Sequence, residues 1–158
     1  MIFGGGGGSM GSKEIKYLFI DGACLQMILK HTSERFFDGK SIELDYHELA
    51  REFDKVFYYN CLAPQNSDEP REEYEERIQP QVDFFNQLRK IDKYHVFEGI
   101  TRRRRGVAQQ KKVDIMIAVD MLMHSFNRNM HRATLLASDL DFKPLLDALV
   151  QAGMHVTL

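Results

Sequence analysis

Short apolar runs rich in β-branched and aromatic residues alternate along this chain with longer segments of helical periodicity, and this alternation restricts the fold more than any other feature. The runs lie at residues 15–20, 56–62, 94–97, 100–103, 133–137 and 154–158, and they predict strands. Between them, residues 25–31, 42–54, 71–90, 113–127 and 142–152 predict helices. Leu25, Ile28 and Leu29 mark the inward face of the first helix, and Leu44, Leu49 and Phe53 that of the second. In the third, Tyr74, Ile78, Phe84, Phe85 and Leu88 form the stripe, with a kink expected at Pro80. The segment 113–127 is apolar nearly all round, which predicts a helix buried on several sides. Pro144 in the first turn of the last helix and Gly153 just past its end follow the usual asymmetry of helix termini. Strands that are apolar at successive positions must be covered on both faces, so the expectation is an α/β fold with an open parallel sheet flanked by helices.

Length and composition set the outer limits. A chain of 158 residues suits one domain with a real core. Residues 1–12 carry five consecutive glycines and a second Met-Gly-Ser, and read as a tag and linker. The domain is then expected over 13–158, cut short at its C-terminus because the chain stops at a strand. No apolar run approaches the roughly 20 residues that a membrane helix needs. Two cysteines, Cys24 and Cys61, cannot build a disulfide framework, so a reducing, cytoplasmic location is expected. The net charge of −2 announces no bulk affinity for nucleic acid or membrane.

Local charge says more. In open α/β sheets, ligands bind beyond the carboxyl ends of the strands. Asp21 ends the first predicted strand, Asp139 and Asp141 follow the run 133–137, and Asp114 opens the helix 113–127. A single acid at a helix start reads as a cap. Several at one sheet edge repel each other unless a cation neutralises them. After Glu98 the chain has no glutamate, only Asp114, Asp120, Asp139, Asp141 and Asp147. Short all-oxygen ligands suit Mg²⁺ or Mn²⁺, ions that activate water for attack on a phosphoryl group. Asp120 lies roughly 120° round the helix from Asp114 and shares a face with His124, which favours a structural pair. Asp147 is read as solvated surface.

Bases stand beside these acids. Arg102, Arg103, Arg104, Arg105, Lys111 and Lys112 fall within twelve residues and lead directly into Asp114. Alone, such a run is a solvated loop; next to candidate metal ligands it is a grip for a polyanionic phosphodiester. The acid-rich stretch 68–76 reads as an exposed helix start. Phe36, Phe37, Tyr58, Tyr59 and Phe142 could stack bases, though core burial is expected for most.

Three segments carry a family resemblance. Phe19-Ile20-Asp21-Gly22, then Lys112-Val113-Asp114 leading into Ala118-Val119-Asp120, then Ser138-Asp139-Leu140-Asp141-Phe142 with Pro144-Leu145, resemble the NYN domain, a branch of the PIN-like nuclease superfamily. The strand with Tyr58-Tyr59-Asn60 fits between them, so the similarity spans about residues 15–158. The resemblance implies a three-layer α/β/α sandwich, Rossmann-like in its mainly parallel sheet. It also implies internal hydrolysis of RNA, single-stranded RNA foremost, that leaves 5′-phosphate and 3′-hydroxyl ends. By the same likeness Asp21, Asp114, Asp139 and Asp141 hold Mg²⁺ or Mn²⁺, and Asp120 matches a further acid of this branch. Cys24 stands where the family usually has Asn, and Ala137-Ser138 where it has Ser-Gly.

Other readings stay open. Asp139-x-Asp141 after a strand also looks like the nucleophile motif of haloacid-dehalogenase-like phosphatases, but that motif normally follows the first strand, whereas only 17 residues follow Asp141 here. A domain that keeps the fold and binds RNA or protein without cutting is the main alternative. A homodimer and a C-terminal partner are further possibilities.

Overall fold

The computed structural model describes residues 13–99 and 112–158, together with the backbone of two short strands at 102–104 and 107–109. The tag-like residues 1–12, and Arg105 and Lys111, lie outside the described residues. In chain order the elements are β1 (Lys16–Asp21), α1 (Gly22–Phe36), α2 (Tyr46–Leu49), β2 (Lys55–Cys61), α3 (Arg71–Leu88) and β3 (Tyr94–Gly99). There follow β4 (Arg102–Arg104), β5 (Val107–Gln109), α4 (Lys112–Phe126), β6 (Arg132–Leu136), a 3₁₀ turn (Leu140–Phe142), α5 (Lys143–Gln151) and β7 (His155–Thr157). Five strands form one sheet in the order β3-β2-β1-β6-β7, all parallel. The short strands β4 and β5 pair antiparallel as a separate hairpin.

The period of two along each strand sorts the core into two layers. Tyr17 and Phe19 of β1, Phe57 and Tyr59 of β2, and Ala133 and Leu135 of β6 face Val113, Ile117 and Met121 of α4 and Leu145 and Leu149 of α5. Leu18 and Ile20, with Val56 and Tyr58, face Leu25 of α1 and Phe85 and Leu88 of α3 on the other side. The sheet is therefore covered on both faces, the three-layer α/β/α arrangement expected from the sequence. Past α5, Gly153 takes φ +83°, while Gly153 N donates to Val150 O and Met154 N to Leu149 O, a Schellman ending.

Four expectations change. The helix predicted over 42–54 contracts to the single turn of α2. Asp45 caps it, its Oδ1 accepting from His47 N and Glu48 N. Downstream, Asp54 is tied to β1: its Oδ2 accepts from Lys16 N at 2.9 Å and its own N–H donates to Lys16 O at 2.8 Å. That anchoring turns the chain into β2 before a longer helix can form. Leu44, Leu49 and Phe53 still pack on the core, so their inward reading holds without the helix. Ile28 of α1, read as facing in, is exposed. The run expected at 100–103 is realised as Arg102–Arg104, paired with Val107–Gln109, which no apolar run announces. Finally, α4 is covered on one side only, and Ile115, Val119, Met123 and Phe126 remain exposed.

Candidate active site

The order in which strands join the sheet reverses between β1 and β6: β2 and β3 extend to one side of β1, β6 and β7 to the other. Such a switch point opens a crevice at the carboxyl ends of the two strands. Asp21 is the last residue of β1 and caps α1, its Oδ1 accepting from Ala23 N at 3.0 Å and Cys24 N at 3.2 Å. Asp139 follows β6 and caps the 3₁₀ turn, its Oδ1 accepting from Asp141 N at 2.9 Å. Asp114 sits in the first turn of α4.

Acids distant along the chain act on Asp114. The Asp114 carboxyl is held above its ordinary range, first by burial and then by the charges of Asp21, Asp139 and Asp141. In both Asp21 and Asp139 the capping bonds fall on Oδ1 and leave Oδ2 without a hydrogen bond among the described residues. Among the described residues, however, no three His, Cys, Asp or Glu side chains are gathered at metal-binding range. The donor set fits a hard divalent cation in its chemistry: four carboxylates, free oxygens, and mutual repulsion that a cation would relieve.

Asp120 does not join them. It accepts a 2.7 Å hydrogen bond from the Tyr59 hydroxyl at its Oδ2, and it is not among the charges that raise Asp114. The pair expected with His124 takes another form. No hydrogen bond joins the two side chains; Asp120 acts on the imidazole through its charge alone, against burial, which holds the ring below its ordinary range. The His124 ring lies against Tyr17 and Phe57, and its Nδ1 meets Asn129 Nδ2 at 3.0 Å.

Of the basic residues, Arg102, Arg103 and Arg104 form strand β4 and Lys112 opens α4, described by their backbone alone. The segment that carries them leaves β3 at Gly99 and enters α4 at Lys112. A Cβ placed on Gly99 would lie 3.3 Å from Val113 Cγ2, so both ends of the segment lie at the acidic edge of the sheet. Among the aromatics, Tyr58, Tyr59 and Phe142 are buried in the core, whereas Phe36 and Phe37 are exposed at the far end of α1.

Two residues matter more than the sequence suggested. Asn60, 4% exposed at the carboxyl end of β2, donates from Nδ2 to the Tyr58 hydroxyl at 3.4 Å and accepts Cys61 N at Oδ1. The Tyr58 hydroxyl is held well above its usual range, mainly by burial, and the Asp21 charge adds to this. Gly22, directly after Asp21, meets this pair so closely that a Cβ would stand 2.5 Å from Tyr58 Cζ and 2.8 Å from Asn60 Nδ2. A buried Asn ending an apolar strand was the available signal.

A five-stranded parallel sheet flanked by helices, with Asp21, Asp114 and Asp139 at its carboxyl edge, defines an α/β domain with an acidic edge. The model of the NYN domain matches residues 17–158, and the chain belongs to that family. The family is a PIN-like, nuclease-type one associated with RNA processing, and its members typically use divalent metals. Among solved structures, the fold is similar to that of a protein of unknown function from Vibrio parahaemolyticus, at 18% identity and a TM-score of 0.61. The match covers 93% of this chain and 82% of that one. A comparison with curated proteins returns no match. Among the described residues no helix is long and apolar enough to cross a membrane.

Proposed function

We propose that the chain is a divalent-metal-dependent endoribonuclease. The observation that carries this reading is the placement of Asp21 and Asp139 after the adjacent strands β1 and β6 at the switch point, with Asp114 in the first turn of α4 under the charge of Asp21, Asp139 and Asp141. Asp21, Asp114 and Asp139 would hold Mg²⁺ or Mn²⁺, with Asp141 assisting. When bound, the ion supplies activation of water and stabilisation of charge on the phosphoryl group. The chain's own part is orientation. The caps hold Asp21 and Asp139 by Oδ1 and leave Oδ2 without a hydrogen bond among the described residues. Asn60 and Tyr58 pack Gly22 and so fix the backbone that carries Asp21. Arg102 to Arg105, with Lys111 and Lys112, grip the phosphates on either side, which makes binding strongly salt-dependent.

End-labelled single-stranded RNA incubated with Mn²⁺ tests the reading. The expected result is internal cleavage to 5′-phosphate products, abolished by chelator and reduced at least about 100-fold in Asp139→Asn. Equal cleavage by the two proteins would sink the assignment. One observation favours the non-cutting alternative: Cys24, in the position where the family usually has Asn, is buried. Salt-sensitive RNA binding with the RNA left intact after long incubation with Mn²⁺ would establish that alternative.

A further inference from the structure

Two rows of flat side chains cross the sheet on its α4 side and end at the β3 edge. In the first, Phe19 of β1, Phe57 of β2 and His95 of β3 are register neighbours. Their rings stack at 4.9 Å and 9°, then at 5.1 Å and 21°. In the second, Tyr59 of β2 stacks on Phe97 of β3 at 4.9 Å and 11°. The inner rings, Phe19, Phe57 and Tyr59, are buried in the core that α4 covers. The last ring of each row is not sealed: His95 is exposed and Phe97 only partly buried. Strand β3 is the edge of the sheet, so no further strand continues either row among the described residues. Rings stacked from strand to strand turn their faces along the sheet, and the outer faces of His95 and Phe97 therefore turn off its edge. A flat ring laid there continues the stack in the near-parallel geometry already used inside.

Charge and position select the ring. Lys55 Nζ lies 5.8 Å from the centre of the Tyr17 ring, and Lys55 makes no ion pair among the described residues. Its charge reaches the His95 imidazole, which burial first and then Lys55 hold below the ordinary range. The acids nearby are already engaged: Glu98 with Arg89, Asp120 with the Tyr59 hydroxyl and Asp54 with Lys13. An aliphatic cover would leave the ammonium and the imidazole nitrogens unanswered, whereas a nucleobase with its phosphate answers rings and ammonium together. The strand also leads to the candidate active site. Gly99 lies two residues past Phe97, about 7 Å along the strand. A Cβ on Gly99 would stand 3.3 Å from Val113, the neighbour of Asp114. His95 and Phe97 are themselves two residues apart, roughly the 7 Å step at which a sheet lays out successive splayed bases. Bases paired in a duplex have no free face to lay there. We propose that His95 and Phe97 form a two-base stacking platform for single-stranded RNA, which passes along the β3 edge, with Lys55 on a phosphate, to the acidic end of the sheet. The choice of RNA rests on the nuclease reading, but the platform needs no cleavage, and binding measured without metal separates the two.

Fluorescence anisotropy in chelator, with a labelled single strand of roughly 12 nucleotides and the matching duplex, tests the proposal. His95→Ala and Phe97→Ala should each weaken single-strand binding about 5- to 100-fold, the range for losing one stacked base, and His95→Tyr should restore it. Phe97 also packs on the core, so the exposed position of His95→Ala carries the test if Phe97→Ala fails to fold. Lys55→Gln should lower the slope of log affinity against log salt by about 1. A strand carrying 2-aminopurine reads the stacking itself: its fluorescence should be quenched on wild type and His95→Tyr, and far less on His95→Ala. Unchanged affinity and quenching in His95→Ala, the result expected if protein covers this edge instead, would overturn the proposal and leave the nuclease reading standing. Duplex bound as tightly as single strand, or no binding of RNA at all, would also overturn it. Platform effects in a protein that cuts no RNA with Mn²⁺ would support the platform and overturn the nuclease reading alone.

Discussion

The Tyr59 hydroxyl, otherwise sealed in the core, donates a 2.7 Å hydrogen bond to Asp120 Oδ2 and so binds the middle of α4 to the centre of the sheet. The hydroxyl is held far above its usual titration range, by burial first and then by the carboxylate it serves. It therefore remains a donor at every working pH.

That bond separates Asp120 from the acids at the switch point. Asp120→Asn keeps an oxygen acceptor for Tyr59 and should retain RNA cleavage within about fivefold of wild type, while Asp114→Asn loses at least about 100-fold. Tyr59→Phe should lower stability by about 1.5–3 kcal/mol in urea unfolding, the range for a hydrogen bond to a charged group. A loss at Asp120 as deep as that at Asp114 would place Asp120 among the metal ligands.

Asp114 carries an electrostatic strain that can be read without any activity. Its carboxyl is raised in the folded chain, so its charge opposes folding at neutral pH, above the unfolded value near 3.9. In chelator, Asp114→Asn should melt at a higher temperature than wild type. Adding Mn²⁺ should raise the melting temperature of wild type and leave that of the variant nearly unchanged. Differential scanning fluorimetry with and without the ion measures both.

Replacing Gly22 by Ala should destabilise the fold, although Ala is the better helix former by about 1 kcal/mol. The added Cβ would fall 2.5 Å from Tyr58 Cζ, a ring that is fully buried in the core. An overpacking cost of roughly 1–3 kcal/mol outweighs the propensity gain. Urea unfolding of Gly22→Ala decides the sign.

Mild acid should weaken the protein through two imidazoles. Burial, and then the nearby Lys55 charge, hold His95 below its ordinary value. His124 is lowered by burial, which outweighs the opposing pull of Asp120. The unfolded chain takes up these protons first, so this contribution is complete above about pH 6.5 and is lost as the pH falls below it. Unfolding free energy should drop between pH 7.5 and 5.5, and His124→Gln should flatten the drop. Asp54 acts in a separate window: the Lys13 and Lys16 hydrogen bonds lower its carboxyl, so its contribution persists above about pH 4 and fades only below that.

Much of this architecture is legible in the linear pattern. Strand β1 alternates Tyr17 and Phe19 with Leu18 and Ile20, all apolar, so burial on both faces follows from the residues alone. The Pro144 and Gly153 punctuation places α5 to within a residue or two. The acids Asp21, Asp114 and Asp139 stand out because each ends a strand or starts a helix. By contrast, the segment 42–54 has helical spacing yet forms only the turn of α2, because Asp45 and Asp54 spend their carboxylates on local caps and on Lys16. The linear pattern shows Asn60 only as a polar residue ending an apolar strand; its weight comes from Tyr58 and Gly22, which reach it from the same strand and from α1.

By itself, then, the sequence determined the class of fold, the two-sided burial of the strands and the identity of the acids at their ends. These are local matters of periodicity, capping and side-chain chemistry. Which acids lie near enough to act on Asp114 was decided by tertiary structure. The order β3-β2-β1-β6-β7 sets β6 beside β1 and so brings Asp139 to Asp21, while the pitch of α4 turns Asp114 toward them and Asp120 toward Tyr59. The same holds for the apolar back of α4. A helix that is apolar all round states that every side wants cover, but only the packing shows that the sheet covers one side and leaves Ile115, Val119, Met123 and Phe126 exposed.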